Sequence, residues 1–179
     1  RRHTRFRNVT GVQTCALPIY LSNRGVGILG DTVYFETPDC HLIALDIKNG
    51  EHRWDTTICD LDRFYYASAA PIVVKNHVLT GVSGDDMDNP GYLESHDPGT
   101  GALQWRWYSV PQKMDDPGSD TWPNEEAMKH GGGMTWQPST YDAELNLIYI
   151  TTGNPQPVIA YKNRPGSNLF TGSIVALNP

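Results

Sequence analysis

Three features of this chain have residue types and spacing that could do chemistry. Asp85-Asp86-Met87-Asp88-Asn89 gathers three carboxylates and an amide, oxygen donors that attract a hard cation. It is not an EF-hand loop, because Pro90 falls at a ligand position and the flanking pattern is β; taken alone it reads as a solvated acidic loop. Gly25-Val26-Gly27-Ile28-Leu29-Gly30 has the glycine spacing of a dinucleotide fingerprint. That chemistry needs a strand before the glycines and a helix N-terminus after them to receive a pyrophosphate. Asp31-Thr32-Val33-Tyr34-Phe35 follows instead, a turn into a strand, so a dinucleotide site is excluded. Cys40 and Cys59 are the only thiols after residue 19, with no C-x-x-C, haem or zinc spacing. Structural thiols and a disulfide both remain open at this level.

The elements that must position such groups are short strands in a repeat. Ala44-Leu45-Asp46 is followed by Gly50 and Trp54, and Ser95-His96-Asp97 by Gly101 and Trp105, 51 residues further on. A third copy begins at Ala176-Leu177-Asn178-Pro179. Strand signals lie at Val33–Thr37, Leu42–Asp46 and His52–Thr56, then at Ile72–Val74, Val78–Val82, Tyr92–Asp97 and Leu103–Tyr108. A third set is expected at Met134–Gln137, Leu147–Thr152 and Ser173–Leu177. Roughly four short strands per repeat of about 50 residues is the pattern of propeller blades, so the chain is expected to be all-β and to hold about three blades. A blade cannot bury both faces of its sheet alone, so each repeat Trp should wedge against the next blade. Ser109–His130 breaks the strand rhythm and reads as a long insertion on one rim.

Composition narrows the class further. The 17 Gly, 13 Pro and 5 Trp fit a turn-rich β protein, and no apolar run is long enough for a membrane-spanning helix. Residues 1–19, RRHTRFRNVTGVQTCALPI, carry four Arg and no acid. They read as the conceptual translation of a sequencing adapter, with RRHTR and VTGVQTCALPI as its constant parts. On that reading Cys15 and the Asn8-Val9-Thr10 triplet carry no biology, and 20–179 is a segment truncated at both ends. Without the four Arg, 10 basic residues face 20 acidic ones, a formal charge of −10. That balance excludes a nucleic-acid footprint and suits a soluble protein with a basic electron-transfer partner.

From Tyr20 to Pro179 the chain resembles the quinoprotein alcohol dehydrogenases, which use pyrroloquinoline quinone (PQQ). The tryptophan repeats, Asn23-Arg24-Gly25, Ser83-Gly84 … Gly91-Tyr92, Gly131-Gly132-Gly133-Met134-Thr135-Trp136 and Thr152-Gly153-Asn154-Pro155 carry the resemblance. It implies an eight-bladed β-propeller that oxidises alcohols by hydride transfer to metal-bound PQQ, passing electrons to a cytochrome c in the periplasm. Arg24, Ser68, Ser83, Gly84 and Trp136 then match cofactor-binding positions, with Trp136 as the floor beneath the quinone. Asn154 matches a ligand of the metal, Ca²⁺ or a lanthanide. Asp86 falls where the family has a Glu ligand, one methylene longer. The family's adjacent-cysteine disulfide would fall at positions 18 and 19. Its catalytic Asp lies beyond Pro179, so no general base is expected here and the segment alone is expected to be inactive. The other reading is a non-catalytic PQQ-like repeat propeller that serves as an envelope scaffold.

Overall fold

The computed structural model describes residues 23–84 and 88–179. Residues 1–19, positions 18 and 19 included, and Asp86 lie outside the described residues. Eleven strands form three antiparallel sheets among the described residues. The first sheet runs β1 (Gly27–Leu29), β2 (Thr32–Thr37), β3 (His41–Asp46) and β4 (His52–Thr57), in chain order. The second repeats that meander as β5 (Ile72–Val74), β6 (His77–Gly81), β7 (Tyr92–His96) and β8 (Leu103–Tyr108). The third holds β9 (Thr140–Asp142), β10 (Leu147–Thr151) and β11 (Ile174–Leu177). These are three consecutive propeller blades.

The repeat motif is explained by its turns. Asp46 Oδ1 accepts the amides of Lys48 (2.8 Å) and Asn49 (3.2 Å), and Gly50 closes the turn at φ 73°. Asp97 Oδ1 accepts the amides of Gly99 and Thr100, both at 2.9 Å, and Gly101 stands at φ 74°. An Asx side chain replaces a backbone acceptor, and glycine takes the left-handed position without steric cost. The two sheets also share a register shift, at Ala44/Leu45 and at Ser95/His96.

Trp54 docks as the repeat requires. Its indole N–H donates to the Pro98 carbonyl of the second blade (2.9 Å), which also accepts from the Tyr34 hydroxyl (3.1 Å). A Cβ at Gly101 would stand 2.6 Å from the Trp54 ring, so the second blade's turn glycine is the seat of the first blade's tryptophan. Trp105 packs one blade on against the cluster of Val74, Leu79 and the third blade's Ile148. The largest core cluster runs from Tyr34, Leu42 and Ala44 through Tyr65 and Tyr92 to Met134, and so joins all three blades.

One expected strand is corrected, and two further strands appear. Gly27–Leu29 is a strand, since the glycine of its first position packs directly on the next blade: a Cβ there would meet the Pro71 carbonyl at 2.8 Å. Thr140–Asp142 is a strand as well. Met134–Gln137 is not one, and the backbone around it bonds to the residue before β7 and to the segment after β10. Gly91 N–H donates to Gly132 O (2.8 Å), and Gly153 N–H to Met134 O (2.8 Å). The Ser109–His130 insertion contains a short helix, α1 (Glu125–Lys129), capped by Asn124 accepting from the Ala127 amide (2.9 Å). Cys40 and Cys59 form a disulfide, their Cα atoms 5.0 Å apart, which ties the β2–β3 turn to the start of the crossing into the second blade.

Candidate functional site

Three blades contribute to one cluster. Arg24 lies just before β1, in a segment held by Asn23: its amide donates to the Glu36 carbonyl (2.8 Å), and its Oδ1 accepts from Gly25 N–H (2.8 Å). The Arg24 guanidinium reaches the crossing segment between blades, where Nη1 donates to the Ser68 carbonyl (2.8 Å) and hydroxyl (2.5 Å). Ser68 Oγ in turn stands 2.8 Å from Ser83 Oγ. Both serines are buried. A small antiparallel bridge sets their spacing: Tyr66 N–H donates to Ser83 O (3.2 Å) and Ser83 N–H to Tyr66 O (2.8 Å).

Gly84 continues this strand end at φ 128°, where a Cβ would stand 3.0 Å from the Phe64 carbonyl. The close pass therefore requires glycine. Trp136 arrives from the third blade. Thr135 before it accepts the Val82 amide (3.1 Å) and donates to the Tyr92 carbonyl. A Cβ at Gly81 would stand 2.0 Å from Thr135 O, so the second blade makes room for this segment by having no side chain. The half-buried Trp136 ring then lies under the Arg24 guanidinium, 4.9 Å from its centroid. A cation over an indole face is an attractive arrangement.

Of the residues expected at the site, Arg24, Ser68, Ser83 and Trp136 are brought together, with Gly84 adjoining Ser83. Asn154 is joined to them through backbone: Gly133 N–H donates to its carbonyl (3.0 Å), while the residue itself is exposed. Among the described residues no three His, Cys, Asp or Glu side chains gather around a common point for a metal ion.

Sequence reasoning missed Glu36. It is 1% exposed, directly behind the Arg24–Ser68 contact. Its Oε2 accepts the Ala69 amide (2.9 Å) and its Oε1 the Thr80 hydroxyl. Burial pushes its carboxyl up to about 8, against the opposing pull of Thr80, Ala69 and the charge of Arg24. The signal was available: Thr32, Tyr34 and Glu36 share the buried face of β2 at period two.

A planar cradle of this kind fits a flat, polyanionic aromatic. The indole offers a stacking face, and the exposed guanidinium uses only Nη1 for side-chain hydrogen bonding among the described residues, leaving its fork for a carboxylate. The consecutive four-stranded blades define the class, a β-propeller. The sequence pattern of the family described as "Glucose/ethanol/alcohol dehydrogenase, beta-propeller domain", a PQQ family, matches residues 58–179, and the chain belongs to it. It is 39% identical over 168 residues to the quinohemoprotein alcohol dehydrogenase ADH IIB of Pseudomonas putida, covering 88% of this chain and 24% of that one. It is 36% identical to the quinohemoprotein alcohol dehydrogenase of Comamonas testosteroni, covering 95% and 25%. Among solved structures, a europium-containing methanol dehydrogenase superposes with a TM-score of 0.82 at 32% identity, covering 88% of this chain and 30% of the other. The chain spans about a quarter of the length of the curated relatives it matches.

Proposed function

We propose that this chain supplies part of the PQQ cradle of a quinoprotein dehydrogenase that oxidises alcohols. The observation that carries this reading is the Arg24 guanidinium set over the Trp136 ring and backed by the Ser68 and Ser83 hydroxyls. A scaffold propeller without cofactor has no need for this convergence of three blades. In the proposed roles Trp136 stacks against the flat ring system, and Arg24 binds a carboxylate through its guanidinium fork. Ser68 and Ser83 orient Arg24 and offer hydroxyls at the cradle's edge, while Gly84 lets the backbone pass close. Held by these residues, PQQ would supply a quinone carbonyl able to accept hydride from an alcohol, with a cytochrome c as the proposed electron acceptor.

A Ca²⁺ or lanthanide ion belongs to the same proposal, with Asn154 and Asp86 as its protein ligands. Its part would be Lewis-acid polarisation of the quinone. Periplasmic residence is proposed as well. The Cys40–Cys59 disulfide supports it, since such bonds persist in oxidising compartments.

Equilibrium dialysis of PQQ against the full-length protein, with Ca²⁺ or a lanthanide present, tests the reading. Binding should be saturable, and Arg24→Ala should weaken it by about tenfold or more, the size of a lost charge-assisted contact. Alcohol-dependent dye reduction by the loaded protein should follow. Absence of PQQ binding under both metals would overturn the reading.

A further inference from the structure

We infer that Glu36 is a positioning residue for this cradle, a clasp that holds Arg24 and Ser68 in register from behind. The inference rests on the PQQ reading above. Glu36 touches both partners of the Arg24–Ser68 contact through their chain neighbours. Its main-chain carbonyl holds the Asn23 side chain (2.8 Å), one residue before Arg24. Its carboxyl holds the Ala69 amide (2.9 Å), one residue after Ser68. Its other oxygen holds Thr80 on β6, the strand that leads to Ser83. One residue of the first blade thus anchors the segment before β1, the interblade crossing and β6 of the second blade. A buried amide and a buried hydroxyl depend on it, and each is costly to leave unpaired.

The chemistry of the clasp differs from a plain structural contact. Its donors are neutral, and Arg24 is the charged group that acts on the carboxyl from the elements packed around it, among the described residues. Burial therefore keeps Glu36 protonated into the neutral range, with a carboxyl pushed up to about 8. Protonated, it leaves the full charge of Arg24 to an anionic cofactor. Ionised, it draws on that charge and repels the cofactor's carboxylates. Thr80 can serve either state, because a hydroxyl donates to a carboxylate or accepts from a carboxylic acid.

The test compares PQQ affinity of the full-length protein, Glu36→Gln and Glu36→Leu by equilibrium dialysis at about pH 6.5 and about pH 9.5, on either side of the expected ionisation. The unsubstituted protein should lose about tenfold in affinity at the higher pH, while Glu36→Gln, which keeps a neutral acceptor and donor, should match it at the lower pH and stay level. Glu36→Leu should bind about tenfold more weakly at both. Identical pH profiles for the protein and Glu36→Gln, or unchanged affinity in Glu36→Leu, would overturn the inference. Hydrogen exchange at the Ala69 amide separates this from a failure of the PQQ reading. If the unsubstituted protein binds no PQQ, that reading fails. Faster Ala69 exchange in Glu36→Leu but not in Glu36→Gln then still supports the clasp, and unchanged exchange overturns it.

Discussion

Glu36 in the first blade and Glu94 in the second are both buried carboxyls on strands, and their surroundings differ in kind. Glu94 Oε1 receives the Arg106 guanidinium (Nε at 2.6 Å), and its Oε2 faces His96 Nε2 at 3.1 Å. Arg106 also lies over the Tyr92 ring at 4.3 Å and donates to the Tyr108 hydroxyl at 3.1 Å. Arg106, Tyr92 and Tyr108, with Arg63 and Tyr65, wall a cleft of about 330 Å³ between the two blades. Glu36 has a backbone amide and a threonine hydroxyl instead of a cation. Burial costs a carboxylate so much that the partner set decides its state. In the second blade the carboxyl faces a guanidinium. Neutral donors in the first make a carboxyl raised to about 8, and this one sits behind the Arg24–Ser68 contact.

The largest expected effect breaks the second blade's side of this comparison. Arg106→Met leaves Glu94 buried without its guanidinium, and should cost about 3–5 kcal/mol of stability in denaturant unfolding near neutral pH. A loss under about 1 kcal/mol would mean that His96 alone satisfies Glu94.

The next tests the first blade's side, with its sign set by the raised carboxyl. The folded chain holds the Glu36 proton up to about 8, and the unfolded chain releases it near the ordinary 4.5. Between these values the folded state binds more protons. Stability from this group is therefore fully present below the unfolded value and declines as pH rises to about 8, by about 5 kcal/mol across the window. Glu36→Gln should flatten that slope in unfolding experiments run across the same range. An unchanged slope would show that Glu36 ionises freely in the folded protein.

The smallest effect sharpens the account of the donors. Thr80→Val removes one hydrogen bond to Glu36 and should cost about 1 kcal/mol, measured by thermal unfolding. It should also move the upper end of the Glu36 window to higher pH, since the lost hydroxyl favours the ionised form. A window moved downward would show that Thr80 serves the protonated form instead.

Much of the fold was legible because its causes are local. Asp46 and Gly50, and again Asp97 and Gly101, specify their turns by side-chain acceptance and left-handed backbone, both readable from residue type and spacing. The alternating strands β2 and β3 follow from the same kind of pattern. Gly27–Leu29 was hidden inside a glycine-rich motif, and Met134–Gln137 looked like a strand although its neighbours bond across blades. The cradle was legible only through family resemblance: Arg24, Ser68, Ser83 and Trp136 have no common period or motif, and the folded structure is what brings the four together.

By itself the sequence determined the blade repeat and its turns, because turn chemistry acts over a few residues. Only the tertiary structure decided that Cys40 meets Cys59, that Trp136 lies under Arg24 and that Glu36 is enclosed behind them. The physical reason is that burial, pairing and proton affinity belong to the neighbours a residue acquires, and these arrive from distant parts of the chain.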